Sequence, residues 1–179
     1  MDDPEIITRF KQEATKHSAY TVLVKKYQEK LYWHIRRILP DHEDANDVLQ
    51  NTFIKVWNAL ATFREDSQLY TWLYRIATNE SLSFVEQQKR KAAIPFDEVT
   101  EAYTNKIAAD TNFDANRLEW KLLQAIQQLP EKQRLVFSLR YYDEMTYDEM
   151  SRVLDTSAGA LKASYHHAAK KVEEFIKNG

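Results

Sequence analysis

Glycine and proline are scarce in this chain, with two Gly and four Pro in 179 residues. These two residues are the ones that most often interrupt regular structure, so their scarcity favours long helices over many short strands. Hydrophobic residues make up 44% of the chain, which is enough material for real cores. We therefore predict an all-α protein, and a chain of this length forms one domain or two small ones.

The helical pattern lapses once, over residues 92–112, where Pro95 and scattered polar residues show no sustained period. We interpret this stretch as a flexible linker between two small helical domains, residues 1–91 and 113–179. In the first domain the periodicity predicts helices over residues 5–17 and 20–39, a third helix from Asp44, and a fourth over residues 69–91. In the second domain, a helix over residues 113–129 and a new one after Pro130 precede two helices joined by a short break at residues 155–157. That pair predicts a helix-turn-helix, and Thr146 and Glu149 form a capping box at the start of its first helix.

The charge distribution limits what the chain can bind alone. Residues 1–91 hold 14 Lys+Arg against 13 Asp+Glu, residues 92–116 hold 1 against 5, and residues 117–179 hold 10 against 9, for a net charge of -2. Affinity for nucleic acid that is independent of sequence comes from Lys and Arg neutralising phosphates. The chain is therefore not expected to be a strong free-standing DNA binder, and on DNA it would need a larger partner.

Several classes of protein and of site are disfavoured. There is no cysteine, which excludes disulfides and thiolate metal sites. The chain shows no signal-peptide pattern and no run of about eighteen apolar residues, so we expect a soluble, intracellular protein. No glycine-rich phosphate loop, G-x-S-x-G or H-E-x-x-H occurs. We expect no enzyme activity, no cofactor, no metal and no small-molecule substrate.

The helix from Asp44 has two different faces. One carries apolar residues at spacings of three and four and is expected to be core. The opposite side combines acids and amides with large apolar groups, which indicates a docking surface. Its members are Asp47, Gln50, Asn51, Ile54 and Trp57.

The helix from Leu69 leaves aromatic rings, a guanidinium and an amide outside its inward face: Tyr70, Trp72, Tyr74, Arg75 and Asn79. Rings can stack on unpaired bases, and amides and guanidinium groups can read base edges. Aromatic residues at helical spacing are also common in cores, and spacing alone leaves both interpretations open.

The final helix begins with small residues, including Ser157, Gly159 and Ala160. Small side chains let a helix approach the floor of a major groove, while its free N–H groups can hold a phosphate. Lys162 and His166 lie one turn apart on the same side and could reach bases or backbone. A small patch packed against another helix explains the same residues equally well.

The order of the residues adds to these patterns. DANDVLQNTFIKVWNAL, the loop FREDSQ and then YTWLYRIATNE resemble the second conserved region of bacterial RNA polymerase sigma factors, most of all the small extracytoplasmic-function group. LPEKQRLVFSLRYYDEMTYDEMSRVLDTSAGALKASYHHAAKKVEEFI resembles their fourth region. Together the two segments cover most of the chain.

The resemblance implies a transcription initiation factor rather than a catalyst. Its expected partners are core RNA polymerase (the clamp helices of the largest subunit, and the flap), promoter DNA and an anti-sigma factor. It implies that the docking surface of the Asp44 helix binds core polymerase. The residues implied to capture the minus-ten strand are Arg64, Ser67, Gln68, Tyr70, Trp72, Tyr74, Arg75, Asn79, Lys89 and Arg90. The residues implied to read the minus-thirty-five element are Thr156, Ser157, Gly159, Ala160, Lys162, Ala163, His166 and His167.

The final helix, which is the recognition helix of the predicted helix-turn-helix, departs from the family pattern. Threonine and three arginines are usual in the family where this chain has Ala160, Ser164, His167 and Ala169, so we expect weaker or differently distributed phosphate contacts. Two alternatives follow: a degenerate sigma-like regulator, or a helix-turn-helix regulator that binds DNA without polymerase. The acidic stretch is either a solvated linker or a mimic of RNA against a basic wall.

Overall fold

The computed structural model describes residues 1–92 and 117–178, and within these ranges the regular structure is helical, with no strand. In chain order the helices are α1 (Asp3–Phe10), α2 (Lys16–Ile38), α3 (His42–Ala59), α4 (Leu69–Ala92), α5 (Arg117–Gln127), α6 (Glu131–Tyr141), α7 (Tyr147–Leu154) and α8 (Ala158–Asn178), with a short 3-10 turn at Leu60–Thr62 after α3. This confirms the predicted all-α class. The predicted linker lies outside the described residues, except for its first position.

The N-terminal domain is built from α1 to α4, with α2, α3 and α4 packed against one another and α1 against α2. Leu23, Leu31, Ile35, Val56 and Leu73 have no exposed surface and form the middle of its core. Leu23, Leu31 and Ile35 recur at helical spacing along α2, as expected of a face turned inward. The predicted fourth helix, residues 69–91, agrees with α4 to within one residue.

The predicted single helix over residues 5–17 is wrong, because α1 ends at Phe10 and α2 begins only at Lys16. Residues 11–15 turn, and the hydroxyl of Thr15 donates to the carbonyl of Arg9 at 2.7 Å. The turn folds α1 back onto α2 and buries Phe10. Burial of an apolar side chain of this size outweighs the few tenths of a kcal/mol per residue by which local propensity favours a continuous helix.

Polar side chains cap the N-termini of α3 and α7. Asp41 precedes α3, and its carboxylate accepts from the backbone N–H of Glu43 at 2.9 Å and of Asp44 at 3.2 Å. The capping box predicted for α7 is confirmed: Thr146 accepts from the N–H of Glu149, and Glu149 accepts from the N–H of Thr146. Both arrangements satisfy backbone donors that a helix leaves free at its N-terminus.

The C-terminal domain ends in the predicted helix-turn-helix. Asp155 separates α7 from α8 with φ of 50°, a left-handed conformation that aspartate tolerates better than most residues. The side chain of Ser157 then accepts from the N–H of Ala160 and starts α8. Buried Leu161, Ala168 and Val172 hold α8 against the rest of its domain, which leaves its other side exposed.

The two domains are packed together along a seam. α4 lies along α7, and α2 meets α6. Met145 and Met150 of the C-terminal domain have no exposed surface and belong to the same apolar cluster as Leu73 of α4. The seam therefore sets which of the predicted site residues are accessible.

Candidate nucleic-acid interface

The outer face of α3 presents four of the five residues predicted to dock on a partner. Asp47, Gln50, Asn51 and Ile54 are all exposed, and their spacing places them in one row along the helix. Ile54 is 52% exposed, an unusual position for a branched apolar side chain among polar ones. A single apolar residue inside a polar row is the pattern of an interface anchor with a polar rim.

Trp57, the fifth predicted member, is placed differently. It is half-buried, with its ring centroid 5.3 Å from Phe10, 5.0 Å from His17 and 4.9 Å from Tyr20. The ammonium of Lys16 lies 4.8 Å from the same ring. Trp57 thus joins α3 to α1 and α2 and leaves only part of its surface beside the exposed row.

The outer face of α4 forms an exposed strip, which we call the α4 strip: Gln68, Trp72, Arg75 and Asn79. Gln68, Arg75 and Asn79 are exposed, and Trp72 is half-buried. The ring of Trp72 rests on Phe63, with 5.0 Å between ring centroids, so the indole is held in place while part of it faces solvent. A fixed ring between an amide and a guanidinium can stack on one unpaired base and hydrogen-bond to its edge.

Tyr70 and Tyr74 lie on the other side of α4, at the seam. Tyr74 is only 3% exposed, and its hydroxyl donates to Asp143 of the C-terminal domain at 2.9 Å. Burial is the main cause of the raised pKa of both tyrosines. In this conformation the ring of Tyr74 is not accessible to a nucleic acid, and the ring of Tyr70 is half-buried.

The predicted phosphate-binding residues have varied surroundings. Arg64 and Arg75 are exposed, while Lys89 lies 3.2 Å from Glu131 across the seam and Arg90 lies 2.9 Å from Glu86 on its own helix. Ion pairs at this level of exposure contribute little and exchange readily for other anions. Ser67 is half-buried in the loop before α4.

That loop borders an open cleft of about 380 Å³ at the seam. Its lining combines four acids with one arginine and three uncharged side chains: Glu65, Asp66, Ser67, Gln68, Thr71, Asp148, Glu149 and Arg152. The acidic lining would repel phosphate, so the cleft does not serve as a nucleic-acid pocket in this conformation.

The first three turns of α8 display the residues predicted to read duplex DNA. Ser157, Gly159, Ala160, Lys162, Ala163, His166 and His167 are all exposed, and Thr156 is half-buried. A Cβ added at Gly159 would meet nothing within 4 Å, so glycine is not needed there for packing within the protein. The alternative that these small residues pack against another helix therefore has no support among the described residues.

Sequence reasoning missed Asp143, Arg37 and His34. These three residues meet at the seam, where the guanidinium of Arg37 donates to both carboxylate oxygens of Asp143 at 2.8 and 2.9 Å. Nδ1 of His34 lies 3.8 Å from that carboxylate. Asp143 follows two tyrosines in a polar turn, and nothing in that pattern distinguishes a buried carboxylate from a solvated one.

Within residues 1–92 and 117–178, no group of three or more His, Asp or Glu side chains is arranged to hold a metal ion. In the same part of the chain, every helix is too short or too polar to cross a membrane.

Comparison with known proteins gives the family. Residues 23–91 match sigma-70 region 2, and residues 119–172 match sigma-70 region 4. The RNA polymerase sigma-H factor of Pseudomonas aeruginosa is 31% identical over 166 residues, which cover 88% of this chain and 86% of that protein. The ECF RNA polymerase sigma-E factor of Escherichia coli is 30% identical over the same shares.

Two solved structures share the fold. CnrH, in complex with the cytosolic domain of CnrY, has a TM-score of 0.71 at 22% identity and covers 98% of this chain and 97% of its own. The sigma factor RpoE from Bartonella quintana, in complex with the anti-sigma factor NepR, has a TM-score of 0.68 at 18% identity and covers 88% and 96%. With regions 2 and 4 both matched, the chain belongs to the extracytoplasmic-function group of the sigma-70 family, the factors that bind core RNA polymerase and direct it to promoters.

Proposed function

We propose how this sigma factor divides promoter recognition among three surfaces. The exposed row on α3 binds the clamp helices of core polymerase, and the start of α8 reads the minus-thirty-five element. The α4 strip, with Tyr70 and Tyr74, captures the melted minus-ten strand. The protein acts in the cytoplasm, with its polymerase, and it catalyses no reaction.

One observation carries the assignment of the minus-ten strand to α4. Trp72 is braced by Phe63, with the exposed side chains of Arg75 and Asn79 farther along the same strip. A base that flips out of the duplex loses a few kcal/mol of stacking energy. Stacking on a fixed aromatic ring and hydrogen bonding to an amide compensate for that loss. A braced ring also loses less side-chain entropy on binding than a free one.

The assignment of α3 to core polymerase rests on its exposed row. Ile54 is 52% exposed and is flanked by exposed acid and amide groups. Burying it against another helix would supply a small apolar centre with a polar rim.

The net charge of the chain is close to zero, so the free chain should bind DNA weakly. This supports the proposal that it acts only when bound to polymerase. Lys162 is the one lysine or arginine within the first three turns of α8. Few phosphate contacts give weak binding on their own, and the polymerase supplies the remainder.

The structural relatives CnrH and RpoE are each bound to a partner, an anti-sigma factor in the case of RpoE. By analogy we propose that this chain also has an anti-sigma partner. A pull-down with the full chain as bait would test this proposal.

The experiment that tests the proposed function is run-off transcription with core polymerase from the source organism and a genomic fragment library. Wild type should give discrete starts that need this protein. Trp72→Ala and Asn79→Ala should abolish the starts while leaving polymerase binding intact, and Gln87→Ala, an exposed change on the same helix, should do neither. Polymerase binding without starts in the wild type would instead favour the degenerate regulator.

Binding to core polymerase is measured separately with Ile54→Ala, using Gln28→Ala on the exposed side of α2 as the control. Loss of affinity in the first variant alone supports the α3 assignment. Equal affinities for the two variants would contradict it.

A further inference from the structure

Beside the apolar contacts of the seam, one buried carboxylate has partners on two helices of the other domain. Asp143 accepts from Arg37 of α2 through both oxygens and from Tyr74 of α4 at 2.9 Å. Its side chain is 8% exposed. The guanidinium of Arg37 also lies 4.9 Å from the ring of Tyr142, which fixes the cation from a second direction.

The other polar contacts across the seam lie nearer to solvent. Arg152 donates to the backbone carbonyl of Asp66 at 2.6 Å, and Lys89 pairs with Glu131, with both side chains more than a third exposed. Exposed pairs of this kind contribute at most about 1 kcal/mol. The buried carboxylate of Asp143 differs, because removing one of its partners leaves it desolvated and less well compensated.

The seam covers part of the proposed minus-ten surface. Tyr74 is buried there, and Tyr70 is half-buried, with burial and the nearby carboxylate of Glu149 of α7 raising its pKa. Trp72, Arg75 and Asn79 of the α4 strip are at least partly exposed, and the start of α8 is exposed, whereas Gln68 lines the cleft at the seam.

We propose that Asp143 is a latch that keeps the free protein closed, which hides Tyr74 and partly covers Tyr70 from single-stranded DNA until the two domains part. The latch is a property of the free chain. Its masking effect rests on the proposed function of α4, whereas the latch itself does not.

The test measures the distance between the domains in the free, full-length protein. The chain has no cysteine, so Gln28→Cys on α2 and Lys170→Cys on α8, both exposed, accept spin labels without competing sites. Wild type should give one narrow distance distribution. Asp143→Asn should add a broad, longer population, with the closed-to-open equilibrium shifted roughly 10- to 100-fold toward open.

Glu131→Gln is the matched control, because it neutralises another acid that bridges the two domains but lies near solvent. It should leave the distribution unchanged. A folded Asp143→Asn protein with the wild-type distribution would overturn the latch, and so would equal opening by both variants. If Asp143→Asn does not fold, Tyr74→Phe removes only the hydroxyl and should still produce a smaller open population, whose absence would also overturn the proposal.

A second readout follows masking. Binding of a fluorescent single strand of mixed sequence, about 12 nucleotides long, is measured by anisotropy on the same variants. Asp143→Asn should bind at least several-fold more tightly than wild type. Opening without any gain in strand binding would support the latch and overturn the minus-ten role of Tyr70 and Tyr74, so the two failures are distinguishable.

Discussion

Nε2 of His34 and the hydroxyl of Thr78 lie 2.7 Å apart in a part of the core with no exposed surface. The other ring nitrogen, Nδ1, is buried without a hydrogen-bond partner. Burial, reinforced by the charge of Arg37, lowers the pKa of His34 to about 3. The imidazole is therefore neutral in the folded protein at neutral pH, although the Asp143 carboxylate lies 3.8 Å away.

This environment predicts a loss of stability in mild acid. The unfolded chain binds a proton at His34 near pH 6.5 and the folded protein does not, so the contribution of His34 is complete above pH 6.5 and falls as the pH is lowered toward about 3. Between pH 7.5 and 5 the free energy of unfolding should drop by about 2 kcal/mol from this residue alone. Urea titrations at both pH values measure the drop.

Replacing His34 with Gln is the control for that prediction, because glutamine does not titrate and can still bond to Thr78. The variant should lose most of the difference between the two pH values. The charged and titratable groups around the imidazole are Arg37, Tyr74 and Asp143. Burial raises the pKa of the Asp143 carboxyl, so its contribution to stability changes with pH in the direction opposite to that of His34. An unchanged pH dependence in the variant would show that His34 is not its source.

Glu144 is expected to be replaceable by glycine with a gain in stability. Its φ of 51° lies in the left-handed region, which costs a non-glycine residue about 1 kcal/mol. Glu144→Gly should raise the free energy of unfolding by up to about 1 kcal/mol. Glu144→Ala removes the same exposed carboxylate but keeps the strain, so thermal melting of the two variants separates the backbone effect from the charge.

Gly159→Ala should separate stability from DNA binding. The added methyl group meets no protein atom, and alanine favours a helix, so the free energy of unfolding should rise by roughly 0.5 kcal/mol. If this turn sits close to the groove floor, start-site yield in the run-off assay should fall nonetheless. A more stable variant with full promoter activity would remove Gly159 from the reading surface.

Alanine substitutions at Ile54 and Trp57 should lower different quantities, although both residues lie on α3: polymerase affinity for Ile54 and the free energy of unfolding for Trp57. Ile54 is half in solvent, so Ile54→Ala should change the free energy of unfolding by less than about 0.5 kcal/mol while weakening polymerase binding. Trp57→Ala removes a ring that touches three others and should lower the free energy of unfolding by about 3 kcal/mol. Chemical denaturation of both variants measures this, and similar losses would contradict the division.

Much of the fold could be predicted from the sequence because its signals are local. The period of α3, the carboxylate of Asp41 and the pairing of Thr146 with Glu149 each need only a few neighbouring residues. The break before Lys16 was missed because it depends on where Phe10 is buried, which is a long-range effect. Periodicity treats α1 and the start of α2 as one helix.

The sites divide in the same way. The exposed row on α3 and the exposed start of α8 follow from the helical period once the inward face is known. Tyr74 and Trp72 could not be separated by sequence, since both lie outside the stripe that packs within the first domain. Their different exposure depends on the seam with the second domain, where Tyr74 donates to Asp143, a carboxylate whose burial has no local signature.

The closed form leaves the start of α8 exposed while Tyr74 is buried and Tyr70 is half-buried. Under the roles proposed for these surfaces, contact with an intact double helix needs no rearrangement of the protein, whereas holding an unpaired base against those two rings requires the domains to separate. Binding of the double-stranded promoter element would then precede capture of the melted strand. The free, closed protein would then bind single-stranded DNA at replication forks or repair gaps only weakly. More of it would remain available to bind polymerase.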